Sequence, residues 1–198
     1  MDNLKTLEDK LGVVFKDKTL LKQALIHRSW LNENSDSGFE NNERLEFLGD
    51  AVLELAVTEY LYKKYSNPEG ELTNWRAALV NYVNLSEVAV QLGFNEHLML
   101  SRGEAKDTGR ARQVILANAM EAIIGAIYLD QGFEAAYEFI KKNILSGLEY
   151  IIKNNLYKDA KSLYQEQSQE KFGITPSYRV LSENGPDHDK TFEVGEFL

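Results

Sequence analysis

The sequence contains no cysteine. That excludes disulfides, thiolate metal sites and a cysteine nucleophile. Histidine is scarce too. His27, His97 and His188 lie far apart in the chain, which argues against a histidine-rich zinc site. A bound metal would therefore be a hard cation held by oxygen. Proline occurs only at Pro68, Pro176 and Pro186, so residues 1–67 and 69–175 carry no proline break, and long helices can run there. No apolar run reaches about 18 residues, the length of a membrane span. The N-terminal MDNLKTLEDK has no apolar core and no cleavage site, so a soluble cytoplasmic protein without a membrane partner is expected. Basic residues are also in deficit: 22 Lys and Arg against 31 Asp and Glu, a net charge of −9. Nucleic-acid binders are usually basic, so composition alone argues against such a partner. Carboxylates gathered to hold a metal would give the same imbalance, and local basic patches can still meet a polyanion.

What is present is enough for a core. Hydrophobic residues make up 43% of 198, which makes wholesale disorder untenable. The length suits one moderate domain plus a small piece, or one large domain. Apolar residues recur with helical period through the first three quarters. Leu4, Leu7 and Leu11 predict one helix, and Leu20, Leu21, Ala24 and Leu25 a second. A long helix is predicted over 41–65, stopped by Ser66-Asn67-Pro68-Glu69-Gly70. One or two helices are expected over 72–92, then a polar loop at about 101–111. An apolar helix over 113–130 closes at Gly132, and a last amphipathic helix is expected over 133–154. After Tyr157 the pattern changes to a helix over 159–172 and strands over 177–181 and 191–198, separated by a turn signal at Glu183-Asn184-Gly185-Pro186. The expected fold is mainly α: an all-helical domain over 1–155, then an incomplete α/β module over 158–198.

The chemistry concentrates in two helices. Glu43, Glu46 and Asp50 stand at i, i+3 and i+7, on one stripe of the 41–65 helix. Like charges at this spacing destabilise an isolated helix by a few tenths of a kcal/mol per pair. Either the face is solvated or a cation sits on it. Gly49, mid-helix, costs about 0.5–1 kcal/mol relative to alanine and suggests close approach by another backbone, helix or ligand. Phe47 interrupts the acidic stripe, and ordinary core packing is its plainest explanation. In the 113–130 helix, Asn118 and Glu121 stand at i, i+3 in an otherwise apolar run, where a glutamate rarely stays buried without a partner. If the two helices pack together, Glu46, Asp50, Asn118 and Glu121 could converge and hold Mg²⁺, which keeps several waters and uses few protein ligands. A water made acidic by the metal could attack a phosphodiester, and a second metal could stabilise the leaving oxygen.

The run Asn42-Glu43-Arg44-Leu45-Glu46-Phe47-Leu48-Gly49-Asp50-Ala51-Val52-Leu53 resembles the signature of the ribonuclease III family. The resemblance continues in Ala24-Leu25-Ile26-His27-Arg28-Ser29, in Glu71-Leu72-Thr73 with Arg76 to Asn81, and in Glu121 to Asp130. Together these cover nearly all of residues 5–150. The resemblance implies a homodimeric endoribonuclease without organic cofactor. It would cut double-stranded RNA with Mg²⁺, Mn²⁺ being able to substitute, and leave 5′-phosphates and two-nucleotide 3′ overhangs. It implies Glu46, Asp50 and Glu121 as metal-site and catalytic carboxylates, Glu43 at the edge of the site, and Phe47 at the dimer interface. Residues 158–198 resemble the beginning of a double-stranded RNA-binding domain. There Ser162, Gln165 and Gln169 match the helix face that meets the RNA minor groove, and His188 matches a loop entering the next one. Processing of ribosomal and messenger RNA precursors is the expected role.

The chain departs from the pattern twice. The family usually has aspartate where this chain has Asn118. An amide oxygen can still ligate Mg²⁺, with one negative charge fewer. Residues 158–198 also lack the later strand, helix and basic cluster of an RNA-binding domain. They hold five Lys and Arg against eight Asp and Glu, a net of −3, so weak phosphate contact is expected there. Arg102, Lys106, Arg110 and Arg112 form a local basic cluster, either a solvated loop or a phosphate contact beside the metal site. A non-cleaving RNA-binding or ribosome-associated protein of the same fold is the alternative reading, and Asn118 is what favours it.

Overall fold

The computed structural model describes residues 2–158, 160–185 and 190–197, with side chains for all of these except 2, 3, 160–163 and 166. They fall into two compact units, residues 1–157 and 158–198. The first unit contains helices α1 (Asp2–Leu11), α2 (Lys18–Ala24), α3 (Arg28–Glu33), α4 (Glu43–Lys64), α5 (Glu69–Val80), α6 (Tyr82–Gln91), α7 (Arg110–Gln131), α8 (Phe133–Asn143) and α9 (Leu148–Lys153). The second contains α10 (Ala160–Phe172) and strands β1 (Ser177–Asn184) and β2 (Thr191–Phe197).

α7 is the axis of the first unit. Eleven of its 22 residues are buried, Ile115 to Ile127 almost without interruption. It is long and apolar enough to cross a membrane by composition, but most of that stretch is buried in the protein core. α4, also 22 residues long, turns Leu45, Gly49, Val52, Leu53, Ala56, Val57 and Leu61 inward. Its contact with α7 is unusually close. A methyl group added at Gly49 would collide with the Glu121 carbonyl, and one added at Gly125 with the Leu45 carbonyl. The close approach expected at Gly49 is therefore a backbone-to-backbone helix crossing.

Side-chain carboxylates fix the connections around this axis. Asp17 caps α2 by accepting the Thr19 N–H at 2.8 Å. Buried Glu8 accepts the Phe15 N–H at 2.6 Å and pairs with Lys18. Asp130, at the end of α7, accepts the N–H groups of Lys16 and Asp17 at 2.8 Å each. These bonds hold its carboxyl below the usual range, against the opposing effect of burial.

The structure corrects four local expectations. The long helix begins at Glu43, not 41, because Asn42 is its buried cap residue, held by the Ile26 and Ala24 carbonyls. Six-residue α3 was not anticipated, being too short to show a period. The helix expected over 133–154 breaks after Asn143, passes through a 3₁₀ turn at Leu145–Gly147 and resumes as α9. Ser146-Gly147 is a poor helix-forming pair. β1 runs on to Asn184, through the first half of the expected turn, because Glu183 and Asn184 pair with Phe192 and Thr191.

Within the second unit β1 and β2 pair antiparallel, from Ser177↔Phe197 to Asn184↔Thr191, with an irregularity between Val180 and Ser182. Val180, Leu181, Phe192, Val194 and Phe197 are all exposed.

A candidate metal centre at the α4–α7 crossing

The Gly49–Gly125 contact decides which side chains meet. Glu46 and Asp50 flank Gly49 on α4, and the carbonyl that Gly49 touches belongs to Glu121. Asn118 lies one turn before Glu121 on α7. Half-buried Glu121 carries a pKa pushed up to about 8, first by burial, then by the charges of Asp50 and Glu46. Glu46 is raised as well, by burial and by Glu43, while a hydrogen bond from the Asn118 side chain works in the opposite direction. So Glu46, Asp50, Asn118 and Glu121 come together at the crossing.

Glu43 is at the margin, as its place one turn before Glu46 predicts. Its carboxylate lies 3.8 Å from Arg28 and accepts the Asn41 amide at 3.1 Å. Asn42 and Arg28 both belong to the sequence runs quoted above, yet neither stood out as a site residue. Asn42 is 2% exposed and ties the start of α4 to the 24–26 segment. Arg28 neutralises part of the Glu43 charge.

The donor set suits a hard divalent cation. It is oxygen only, three carboxylates and an amide, and a cation placed among them would reverse the field that holds Glu121 protonated. Among the described residues no three acidic or histidine side chains close into a ready cage.

The remaining candidates are distributed elsewhere. Phe47 is 82% exposed, so packing in the core of this chain is not its role. Arg102, Lys106 and Arg110 are exposed around the 3₁₀ turn Glu104–Lys106. The Arg110 guanidinium sits 5.7 Å from the Tyr82 ring, and Arg112 Nε donates to Asn95 at 3.0 Å. In the second unit Gln165 is half-buried and Gln169 exposed on α10. The Ser162 side chain and His188 lie outside the described residues.

Known proteins resemble this chain in both overall sequence and fold. The family model described as "Ribonuclease-III-like" matches residues 17–148. "Ribonuclease 3" of Fusobacterium nucleatum is 45% identical over 98% of this chain and 83% of its own length. Among solved structures, the nuclease domain of ribonuclease III from Campylobacter jejuni superposes with a TM-score of 0.66. It is 43% identical over 74% of this chain and 97% of that one. A second structure of that domain, described for structural flexibility in a region involved in dimer formation, gives 0.63 at 44% identity, over 72% of this chain and 99% of that one. A relative this similar, aligned along nearly the whole chain, leaves one assignment: the chain belongs to the ribonuclease III family.

Proposed function

We propose that this ribonuclease hydrolyses phosphodiester bonds in double-stranded RNA with Mg²⁺, leaving 5′-phosphates and two-nucleotide 3′ overhangs. The observation that carries this reading is the convergence of Glu46, Asp50, Asn118 and Glu121 at the α4–α7 crossing. These four side chains would hold the metal, with Mn²⁺ as a substitute. When bound, the ion acidifies a water and neutralises charge on the phosphate. Asp50 and Glu121 accept hydrogen bonds from waters at the site and aim them at phosphorus. Asn118 restrains Glu46 through its amide, and Glu43 adds negative charge at the margin. Arg102, Lys106 and Arg110 meet backbone phosphates, which position a duplex without reading its sequence. Structured precursors of ribosomal and messenger RNA in the cytoplasm are the substrates this reading implies.

The active form is a homodimer. Phe47, Leu55 and Tyr62 are 82%, 58% and 80% exposed, and with Ala51 and Thr58 they follow one face of α4. Phe47 and Tyr62 are equally far from the middle of this stripe. A two-fold axis there brings Phe47 of one copy to Tyr62 of the other. Tyr62 borders a cavity of about 880 Å³ that includes Thr58, Tyr65, Leu72 and Arg76, large enough to accept an aromatic ring. Phe47→Glu should yield monomers in sedimentation, and an unchanged dimer would remove Phe47 from the interface.

The helix–strand–strand order of residues 158–198 supports its reading as the opening of a double-stranded RNA-binding domain. Ser162, Gln165, Gln169 and His188 would face the minor groove. The deciding experiment is cleavage of a long labelled duplex with Mg²⁺, beside Glu121→Ala and a single-stranded control. Duplex-only cutting, lost in the variant, is expected. Duplex binding without cutting over a wide Mg²⁺ and Mn²⁺ range would instead establish the non-cleaving reading that Asn118 favours.

A further inference from the structure

The segment 24–29 lies between two parts of the chain that the mechanism needs. On one side is the start of α4. Asn42 donates its N–H to the Ile26 carbonyl at 2.9 Å and its amide to Ala24 at 3.2 Å, and Arg28 faces Glu43. On the other side is the stretch leading into the basic loop. Met99 donates to the Leu25 carbonyl at 2.9 Å and His27 to the Met99 carbonyl at 3.1 Å, which makes an isolated parallel bridge. Side chains extend this contact. The Ser101 N–H donates to Ser29 Oγ at 3.1 Å, and the Arg102 N–H reaches both Glu33 oxygens at 3.3 Å. Ser101 Oγ in turn accepts the Glu104 N–H at 3.2 Å.

One set of hydrogen-bond directions fits this arrangement together with the Ser29 N–H that Nδ1 accepts. Ser29 Oγ accepts from Ser101, so its own proton is free to point at His27 Nδ1, 2.8 Å away. Nδ1 also accepts the Ser29 N–H at 3.3 Å, the cap of α3. Nδ1 is then an acceptor, and the ring is neutral with its proton on Nε2.

We propose that His27 and Ser29 form a positioning clasp. It holds the basic segment 101–112 beside the start of α4, and so sets how tightly duplex RNA is gripped rather than how fast it is cut. This rests on the reading of the chain as a duplex-RNA nuclease. The Arg102 N–H is hydrogen-bonded next to the clasp, Lys106 follows in the same loop, and Arg110 opens α7 directly after it. A proton on Nδ1 would remove the acceptor for both the Ser29 hydroxyl and the α3 cap. Burial is the main influence on the ring and holds its pKa below the ordinary histidine value. Glu104 from the 3₁₀ turn and Glu43 from α4 oppose that shift, and Arg28 adds to it. The clasp is therefore closed at neutral pH and opens only on the acid side of the ordinary histidine range.

The test uses the full chain, with Ser29→Ala, Ser29→Thr and His27→Asn. Ser29→Ala should speed amide exchange at Ser101 and Arg102 about tenfold. It should raise KM for a duplex about five- to tenfold and leave kcat within about twofold, on the scale of one or two lost hydrogen bonds. Ser29→Thr keeps the hydroxyl and should restore both. His27→Asn keeps an acceptor and a helix cap but cannot titrate. Its KM should stay flat from about pH 8 to about pH 5.5, while the wild-type KM rises at the acid end. Unchanged exchange in Ser29→Ala, or a loss in kcat in place of KM, overturns the clasp. If the wild type cuts no duplex, the nuclease reading has failed, and the exchange rates alone then decide whether the clasp exists.

Discussion

The α4–α7 pair and the β1–β2 hairpin treat apolar side chains in opposite ways. In the helix pair, Val52, Leu53, Val57, Met120, Ile123 and Ile127 are all at most 6% exposed, and two glycines let the backbones touch. In the hairpin, Val180, Leu181, Phe192, Val194 and Phe197 are each between 42% and 59% exposed. A two-stranded ribbon has too little surface to bury its own residues, whereas α7 together with the other eight described helices of the first unit has enough. The carboxylates are carried by the region that packs itself. Such a scaffold keeps like charges close together because the surrounding contacts outweigh their repulsion.

The contrast can be broken most severely at the crossing. Gly49→Ala places a methyl on the Glu121 carbonyl and should destabilise the first unit by at least about 3 kcal/mol. Calorimetry should show its transition falling by roughly 6–12 °C. A shift of about a degree would mean that the helices can slide apart freely.

Repulsion inside the same scaffold predicts the next largest effect. Folding raises the Glu121 pKa from near 4.5 to about 8. Between those values the folded state keeps a proton that the unfolded state has released, so stability falls as pH rises through that window. Glu121→Gln removes this penalty. Without metal it should be more stable than wild type at pH 8 by on the order of 2 kcal/mol, and no more stable at pH 4. Equal denaturation midpoints at both pH values would contradict the raised pKa. Added Mg²⁺ should stabilise the wild type at pH 8 more than the variant.

A smaller change sharpens the site itself. Asn118→Asp supplies a further charge and should lower the Mg²⁺ concentration at half-saturation about five- to tenfold, roughly 1 kcal/mol. A titration followed by calorimetry would read this directly, and no leftward shift would mean that residue 118 does not meet the metal. The smallest effect belongs to the hairpin. Phe192→Ser with Val194→Ser should move the main thermal transition by no more than about 0.5 kcal/mol equivalent. A large drop would show that these side chains support the first unit.

The parts legible in the sequence were those with a period or a long signature. The 3.6-residue recurrence located the long helices, and the spacing of Glu43, Glu46 and Asp50 put three acids on one stripe. Gly49 announced a close approach because a mid-helix glycine is otherwise costly. What stayed hidden depends on distance along the chain. Ser29 and Ser101 are 72 positions apart, and no local pattern links them. Asn42 reads as an ordinary polar residue until its carbonyl partners at Ala24 and Ile26 are seen. The break after Asn143 was masked by continuous amphipathic spacing on both sides.

The contact between Gly49 and Gly125 has a consequence for substitution as well as for folding. The atoms that touch belong to the main chain, which every sequence shares. Leucines and isoleucines elsewhere in the bundle can be exchanged, and the outer helices can move in or out to suit. The separation of α4 from α7 at the acids does not follow them. Substitutions elsewhere in the interior can therefore leave the spacing at the acid cluster unchanged, provided both glycines are retained.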